Sequence, residues 1–540
     1  MSTSAIDNSL DSILVEIGDF GKYQIYVFVL VCIPVVLHSS VHVAYVFTAM
    51  DLTYRCGIPE CDQDSTDYEP PWLINAVPYT QGIPNKCDMY LYNSTAEAAN
   101  ETCSASDFDK NEVSRCSSFI YKTDEESILQ EYNLQCSDNL WKLTLVGTVN
   151  SFGQFSGLLI AGMLSDRYGR RRVMVWGMVL CAICGLIRTV MPTYELFLLM
   201  EYLDAAFSAG TFICGYILGV ELVGPKNRVI TGSIATSCNA TGFILTSVVA
   251  WIVRSWRMII YILYTLPFFL ILYLWIVPES IRWNIKKGRI DEAKVTLRKL
   301  AKVNGKEISE RTLDKLNIVD DKQQNESGNQ FFLSLKSPVL LLRFMNACFG
   351  WITCAFVFYG LSINSVTLAS GNKYMNFILS SLVEIPAYFL CPFLLSYFGR
   401  KKSLFGFYVL AGVACVAFIF IPSSATEISL TVYMIGKFGS TATFAIIYQL
   451  TSEMFPTTTR QSYMGACSTF GRLGVMVAPQ MPLLANIWTP LPLVCFAGFA
   501  FIAAFLTLFF PETLNVKLPD TIEEAENMSR SKLKQNRIRS

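Results

Sequence analysis

The sequence predicts an all-α membrane protein, a pseudo-symmetric bundle of twelve transmembrane helices in two six-helix halves with one large disulfide-containing loop. Three observations predict this fold class: an apolar composition, twelve apolar runs of bilayer-spanning length, and short motifs that recur at a nearly constant offset. Apolar residues make up 52% of the 540 residues and charged residues 16%, whereas soluble domains carry about 25% charged residues. An ordinary soluble enzyme is therefore excluded.

Charge balance and missing catalytic motifs exclude further classes of protein. Forty-three basic residues match forty-three acidic residues, so the sequence offers no strongly basic surface for nucleic acid. It has no phosphate-cradling Gly-x-x-x-x-Gly-Lys loop, no His-Glu-x-x-His motif and no soluble segment large enough for catalysis. We expect neither an enzyme nor an ATP-driven pump, and neither a cofactor nor a bound metal.

Twelve stretches are apolar over roughly the 20 residues that cross a bilayer, and we number them spans 1 to 12. They lie at 23–49, 140–164, 172–191, 194–221, 229–253, 257–277, 338–367, 373–397, 403–422, 427–454, 461–487 and 489–510. The acidic, amphipathic start from Asp7 to Asp19 has no charged n-region and no small-residue cleavage site. Span 1 is therefore predicted as a retained helix and not as a signal peptide.

These spans divide the chain into five predicted parts. They are a cytoplasmic N-terminus at 1–22, an N-terminal half at 23–277 with an extracellular loop at 50–138, a cytoplasmic linker at 278–337, a C-terminal half at 338–510 and a cytoplasmic tail at 511–540. The sides follow from basic clusters after spans 2, 4, 8 and 10, because positively charged loops stay in the cytoplasm. We expect a multi-pass protein of the plasma membrane with both termini inside.

The loop at 50–138 agrees with an extracellular position. It holds 17 acidic and 5 basic residues, two glycosylation acceptors at Asn93 and Asn100, and six cysteines. The cysteines are Cys56, Cys61, Cys87, Cys103, Cys116 and Cys136. An even number of cysteines on the translocated side predicts up to three disulfides, with fifteen connectivities open.

The two halves repeat the same landmarks. The chain reads LSDRYGRRR at 164–172 and LSYFGRKK at 395–402, which places Gly169 and Gly399 230 residues apart. Glu221 and Glu453, Arg228 and Arg460, and Pro278 and Pro511 follow at offsets of 232, 232 and 233. Such an offset indicates duplication, which is typical of transporters.

The repeated motifs also predict a gate on the cytoplasmic side. Glycine permits a tight turn, and Asp166 can meet a helix N-terminus or an arginine of a neighbouring loop. We expect such contacts to hold the two halves shut on the inside, and Glu453 to act through Arg400 and Arg460. The predicted gating residues are Asp166, Arg170, Glu221, Arg400, Glu453 and Arg460.

A duplicated chain with Asp166-Arg-Tyr-Gly-Arg170 after span 2 resembles the major facilitator superfamily. The cysteine-rich first loop resembles that of its organic cation, anion and carnitine transporter family, as do Pro278-Glu-Ser-Ile-Arg-Trp283 and Glu453-Met-Phe-Pro456. The resemblance covers nearly the whole chain. It implies a secondary transporter that works by alternating access between the halves, driven by a solute gradient or by an ion such as Na⁺ or H⁺.

An arginine inside the membrane is the main clue to the solute. Arg472 lies about 11 residues into span 11, roughly 16 Å deep, where a guanidinium needs an anion. In the family that this chain resembles, cation transporters tend to carry an acidic residue at the position of Arg472, whereas anion and carnitine transporters carry arginine. The resemblance therefore favours a carboxylate-bearing solute, held by bidentate hydrogen bonds.

Other charged residues inside the membrane admit two interpretations. Glu384 and Lys437 lie at a similar depth and either contact the solute or neutralise one another, which would leave Arg472 free. Glu201 and Asp204 share one face of span 4. They either balance Arg188 or form an electronegative vestibule and a partner for an ammonium group.

Aromatic side chains would complete an ammonium site through cation-π contacts. The candidates are Trp351, Phe358, Tyr359, Tyr388, Phe444, Tyr448 and Phe212. Trp351, Phe358 and Phe444 match family positions that are aromatic and line the cavity. His38 and His42 share a face of span 1, where His42 either couples transport to protons or makes an ordinary interhelical hydrogen bond.

The favoured function is transport of a carnitine-like or amino-acid-like zwitterion or a carboxylate. Two motifs look like those of the carnitine subgroup, Glu384-Ile-Pro-Ala-Tyr388 and Gly436-Lys-Phe-Gly439. One alternative is an organic cation carrier in which Glu384 and Asp204 dominate and Arg472 is internally paired. Organic anion exchange is weakened, because Tyr388 stands where many organic anion transporters have lysine. A different class is a non-transporting receptor or scaffold. The partners expected are a small organic ion and the lipid bilayer, and the oligomeric state is open.

Overall fold

The structure is a computed structural model that describes most of the chain. It covers residues 2–62, 67–80, 83–92, 103–308, 313, 327–368, 371–422, 424–516 and 518–528. Each predicted span coincides with a helix or a run of helices. Within the described residues, nine of these are long and apolar enough to cross a membrane by length and composition alone, and spans 3, 11 and 12 are shorter or more polar. The predicted acceptors Asn93 and Asn100 lie outside the described residues.

Spans 1 to 6 build the N-terminal half. They run Lys22–His42 with Tyr45–Thr48, Leu140–Tyr168, Arg170–Arg188, Tyr194–Glu221, Arg228–Val253, and Trp256–Thr265 with Leu266–Leu272 and Tyr273–Ile276. Spans 7 to 12 build the C-terminal half. They run Pro338–Ile363 with Ser365–Leu368, Lys373–Leu382 with Glu384–Phe398, Arg400–Ile419, Thr426–Met454, Arg460–Val477 with Ala478–Gln480 and Met481–Ile487, and Leu491–Thr507.

Local sequence explains where several of these helices begin. The Asn372 side chain accepts hydrogen bonds from the backbone N–H groups of Tyr374 and Met375, and so caps span 8. Spans 3 and 9 start directly after Gly169 and Gly399, whose φ angles are +102° and +88°. Both helices begin earlier than predicted, at 170 and 400 instead of 172 and 403, because their first turns are basic and not apolar.

The connection between spans 1 and 2 folds into a disulfide-linked domain, and we call the end of the bundle that carries it the domain side. Its strands are β1 Tyr54–Gly57, β2 Tyr79–Thr80, β3 Ile83–Pro84, β4 Asp88–Tyr92, β5 Phe108–Arg115 and β6 Ser118–Tyr121. They pair antiparallel as β1 with β6, β2 with β3 and β4 with β5. Its helical turns are Leu73–Ala76, Ala105–Asp107, Ile128–Glu131 and Ser137–Asn139. The three predicted disulfides are confirmed as Cys56–Cys116, Cys61–Cys103 and Cys87–Cys136.

The opposite end, which we call the linker side, carries short amphipathic helices. They are Ser2–Ile17, Ile281–Lys286, Ile290–Asn304 and Ser327–Ser334. Leu10, Ile13, Leu14 and Ile17 lie on one helical face and are fully buried, so the acidic start of the chain is a helix docked against the bundle. The Asn304 side chain accepts a hydrogen bond of 3.0 Å from the Tyr23 backbone N–H at the start of span 1.

Glycines bring helices of the same half into backbone contact. A Cβ atom on Gly157 of span 2 would lie 2.0 Å from the Ala206 carbonyl oxygen of span 4. A Cβ atom on Gly474 of span 11 would lie 2.3 Å from the Ile352 carbonyl oxygen of span 7. Since real Cβ atoms do not approach this closely, these two helix pairs depend on glycine for their packing.

The two halves touch each other at the domain side, in a set of contacts that we call the closure. Gln480 of span 11 donates to Thr148 of span 2 at 2.6 Å and accepts from Thr144 at 3.0 Å. Ser247 of span 5 donates to the carbonyl oxygen of Tyr374 of span 8 at 2.9 Å. The bundle is therefore closed between the halves on the side of the disulfide-linked domain.

Candidate functional site

A small cavity on the inner face of the C-terminal half collects five of the predicted solute-binding residues. They are Arg472, Trp351, Tyr359, Phe444 and Tyr448. The remaining lining residues, which sequence reasoning missed, are small or aliphatic: Ala355, Ser468, Gly471 and Val475. The volume is about 20 Å³, enough for about one water molecule, so an organic solute needs the cavity to widen.

Helical spacing explains why these side chains meet. Trp351, Ala355 and Tyr359 are four residues apart and share one face of span 7, as Phe444 and Tyr448 do on span 10. On span 11 the lining residues recur three or four apart from 468 to 475. Three helical faces therefore converge on one space between spans 7, 10 and 11.

The aromatic rings of the cavity support one another. The ring centroids of Trp351 and Tyr448 lie 4.2 Å apart in an edge-to-face arrangement, and those of Phe444 and Tyr448 lie 5.5 Å apart. The Trp351 indole N–H donates to the Thr451 hydroxyl at 3.0 Å, which fixes the ring. This wall presents ring faces suited to an ammonium group.

Arg472 is the cation of the cavity. Among the described residues, no carboxylate oxygen lies within 4.0 Å of its guanidinium. The Tyr359 side chain lines the same cavity, and its ring meets His42 of span 1 edge-on at 6.2 Å. The guanidinium is therefore available to an anionic group, and His42 brings the N-terminal half against the same site. His38 stacks on His42 at 6.0 Å.

Glu384 and Lys437 neutralise each other in the structure, which is one of the two predicted alternatives. Lys437 Nζ lies 2.8 Å from Glu384 Oε1, and both side chains are completely buried. The same ammonium lies 3.5 Å from the centroid of the Phe358 ring, so the ring face predicted for a solute is occupied. The alternative that this pair leaves Arg472 free is the one the structure shows.

The acidic pair of span 4 belongs to a second closed cluster. Arg188 binds Glu201 and also Asp204, at 2.8 Å from Asp204 Oδ2, and the Tyr264 hydroxyl donates to the same oxygen at 3.0 Å. All these side chains are buried, and Asn150 adds a hydrogen bond to Glu201 at 2.8 Å. The structure thus has the alternative in which the acidic pair balances Arg188, and a role of Asp204 with an ammonium group stays a prediction.

Two further aromatic candidates lie outside the lining of the cavity. Phe212 of span 4 stacks on Tyr216 with a centroid distance of 6.2 Å. Tyr388 of span 8 is buried, and its carbonyl oxygen accepts a hydrogen bond from Ser233 of span 5 at 3.3 Å. Their roles in solute binding stay predictions.

The repeated motifs build one polar cluster in each half at the linker side. In the N-terminal half, Glu279 accepts a hydrogen bond of 3.1 Å from the backbone N–H of Arg171, at the start of span 3. A carboxylate at a helix N-terminus complements the helix dipole. The Ser280 hydroxyl binds Glu221 at the end of span 4, so the Pro-Glu-Ser triplet ties spans 3 and 4 together.

The C-terminal half repeats the main contacts of this arrangement. Glu512 accepts hydrogen bonds from the backbone N–H groups of Arg400 at 2.9 Å and of Lys401, the counterpart of Arg171, at 3.3 Å, and Thr513 binds Glu453. Arg400 Nε also lies 3.0 Å from Glu453 Oε2. Glu279 and Glu512 were missed as contact residues, although their motif was visible in the sequence.

The structure is closed at the domain side, so the predicted gate on the linker side is not formed in it and stays a prediction. Asp166 pairs with Arg170 of its own half at 3.7 Å and is 65% exposed, so it does not join the halves. Arg460 forms no ion pair with Glu453 among the described residues. The described polar contacts of the motifs stay within each half, because the halves meet at the opposite side, in the closure.

Further spaces follow spans 7 and 11 from the cavity toward the domain side. Beyond the Arg472 cavity lies a mostly apolar chamber that touches Asn364 and Pro479. The chamber shares Asp51, Leu140 and Leu143 with a polar vestibule of about 480 Å³ beneath the disulfide-linked domain. The chamber and the vestibule therefore adjoin each other on the domain side.

Known proteins resemble the chain over most of its length. The sequence profile of the family described as sugar (and other) transporter matches residues 80–525. The organic cation transporter protein of Drosophila melanogaster is 34% identical over 531 residues, covering 96% of this chain and 95% of that protein. Solute carrier family 22 member 1 of Bos taurus is 32% identical, covering 98% and 95%. The proton:xylose symporter XylE from E. coli shares the fold, with a TM-score of 0.58 at 14% identity over 93% of this chain and 98% of its own.

Proposed function

The chain belongs to the sugar and other transporter family of the major facilitator superfamily, among the organic cation, anion and carnitine transporters, and we propose that it carries small organic ions across the plasma membrane by alternating access. The observation that carries this proposal is the aromatic cavity around Arg472, which meets His42 of the opposite half. A site at the contact between two halves can be exposed to either side in turn.

The solute class follows from two kinds of support. The names of the relatives favour an organic cation over the zwitterion expected from the sequence. The ring faces of Trp351, Phe444 and Tyr448 suit a cationic head group. We therefore propose a simple organic cation, with an ammonium group and no carboxylate, as the first candidate.

A zwitterion is the second candidate, and Arg472 favours it. A simple cation beside an unpaired guanidinium is repelled, whereas a carboxylate on the same solute would bind it with charge-assisted hydrogen bonds. Losing such a contact costs about 1.5–3 kcal/mol, or roughly 10- to 150-fold in affinity. A solute with an ammonium and a carboxylate group satisfies both the rings and Arg472.

The orientation of the protein is also proposed. Three disulfides favour an oxidising compartment, which puts the domain side outside the cell and the linker side in the cytoplasm. The basic residues of the linker side agree with this assignment. Na⁺ or H⁺ would drive accumulation, and His42 at the cavity is the candidate for proton coupling.

Uptake by cells that express the full chain tests the proposal. The solutes are tetraethylammonium, carnitine, β-alanine and p-aminohippurate, each with and without sodium and at two pH values. The variants are Arg472→Ala, Arg472→Lys and, as a control on the exposed surface of the domain, Arg115→Ala. Surface labelling measures the amount of protein at the membrane for each variant.

The outcomes separate the candidates. Uptake of carnitine or β-alanine that Arg472→Ala abolishes and Arg115→Ala leaves intact supports the zwitterion. Uptake of tetraethylammonium alone, unchanged or increased in Arg472→Ala, supports the simple cation. No uptake of any solute by protein confirmed at the surface contradicts transport of these classes and favours the receptor alternative.

A further inference from the structure

Residues 125–132 of the disulfide-linked domain form polar contacts with the N-terminal half. The Glu126 backbone N–H donates to the Arg254 carbonyl oxygen at 2.8 Å, between spans 5 and 6. Glu131 binds Arg257 at 2.6 Å. These contacts join the domain to loops of the N-terminal half, so the domain moves with that half.

The Glu125 side chain in the same segment reaches the other half. Its carboxylate binds the Lys373 ammonium and accepts a hydrogen bond of 2.8 Å from the Tyr374 hydroxyl, both at the start of span 8. The residue is 8% exposed, so it is buried at the junction of the domain and the two halves. The hydrogen bonds from Lys373 and Tyr374 compensate for the water that its carboxylate loses.

Tyr374 is itself a central residue of the closure. Its carbonyl oxygen accepts the hydrogen bond from Ser247, and its ring stacks on Trp251 of span 5 at 6.2 Å and on Phe47 of span 1 at 5.6 Å. Glu125 therefore holds a residue that must leave spans 1 and 5 when the halves separate. When Tyr374 moves away, both Glu125 and Lys373 regain water, so the contact is reversible.

We propose that Glu125 is a gating residue of the transport cycle, through which the disulfide-linked domain holds the domain side closed by binding Lys373 and Tyr374 of the opposite half. The domain is then a working part of the gate and not only a cover for the bundle. This inference relies on alternating access, but it is independent of which solute is carried.

Reagent accessibility tests the proposal without a solute. Ser151→Cys serves as a reporter, because Ser151 is buried and donates a hydrogen bond of 3.4 Å across the halves to Val475. A membrane-impermeant methanethiosulfonate is applied outside intact cells that express the full chain, and the rate of reporter labelling is measured. The parent chain without the reporter gives the background of the native cysteines. Glu125→Gln is compared with Glu131→Gln, a matched control whose ion pair lies within one half.

Glu125→Gln is expected to raise the labelling rate by about tenfold, equal to about 1.4 kcal/mol, while Glu131→Gln leaves it unchanged. The charge exchange Glu125→Lys with Lys373→Glu should return the rate toward that of the parent. If Glu125→Gln fails to reach the surface, the variant Tyr374→Phe takes its place in the experiment, because it removes one of the same hydrogen bonds. Unchanged rates in Glu125→Gln, equal acceleration in both glutamine variants, or no recovery in the exchanged pair would each overturn the proposal.

Discussion

Replacing Lys437 by methionine should destabilise the C-terminal half strongly, because its ammonium is the partner of a fully buried carboxylate. Lys437 lies 2.8 Å from Glu384, and neither side chain is exposed. The variant Lys437→Met keeps most of the side-chain volume and removes the charge, so Glu384 remains buried without its partner. Breaking a buried pair in this way costs about 3–5 kcal/mol.

The double variant Glu384→Gln with Lys437→Met separates the charge effect from packing. It removes both charges at once, and replacing both members of a buried pair is often close to neutral. We therefore expect the double variant to be more stable than Lys437→Met alone. As a control, Arg115→Gln breaks an ion pair whose side chains are 70% and 57% exposed, which should cost less than about 1 kcal/mol.

The assay is thermal unfolding of the detergent-purified protein in the presence of a thiol-reactive dye. Cys354, Cys391 and Cys415 are buried within the C-terminal half, so the dye reports their exposure as this half unfolds. The expected order of midpoints is parent and Arg115→Gln highest, the double variant next, and Lys437→Met lowest. A midpoint for Lys437→Met equal to that of the parent would refute the argument that breaking this pair leaves an uncompensated buried charge on Glu384.

Three further predictions concern other parts of the molecule. Gly399→Ala should destabilise the start of span 9 by about 1–3 kcal/mol, because the φ angle of Gly399 is +88°. Gly465→Ala should not, because a Cβ atom at Gly465 would meet open space; the two variants are compared by thermal unfolding. Serine at both Cys56 and Cys116 should lower stability by about 2–5 kcal/mol and reduce the amount of protein at the surface, measured by surface biotinylation. Burial acts to raise the pKa of Glu125, but hydrogen bonds from span 8 outweigh it and leave the pKa below its ordinary 4.5. The closure should therefore keep this stabilisation above pH 4.5 and lose it as the pH falls further. The measurement is the rate of reporter labelling, normalised to that of an exposed cysteine, which should rise at low pH.

The sequence was sufficient for the helices and for the aromatic and charged residues that line the cavity. Each span coincides with an apolar run, because the bilayer demands about 20 apolar residues of every crossing helix. Trp351, Tyr359 and Arg472 line one cavity as predicted, since helical spacing places them on faces that meet. Small lining residues such as Gly471 escaped prediction, because glycine in a membrane helix more often serves packing than binding.

Pairings between distant residues could not be read from the sequence. Glu384 and Asp204 each had two plausible partners, solute or protein, and only the position of Lys437 and Arg188 in space decides between them. Six cysteines allow fifteen disulfide connectivities. The sequence could not select one of them, because the pairing of strands in the folded domain determines which cysteines approach each other. The contact of Glu125 with span 8 joins residues 248 positions apart and left no local signal.

The close packing at Gly157 and Gly474 favours movement of each half as a rigid body. Because the backbones already touch, spans of the same half have little room to slide, and motion is confined to rotation of one half against the other. A rotation of about 10° moves atoms about 15 Å from the pivot by roughly 2.6 Å, enough to break the hydrogen bonds of the closure. For a rotation axis near the middle of the bundle, Arg472, about 18 Å from the start of span 11, moves far less. A bound solute can thus stay in contact with the guanidinium while one end of the bundle closes and the other end opens.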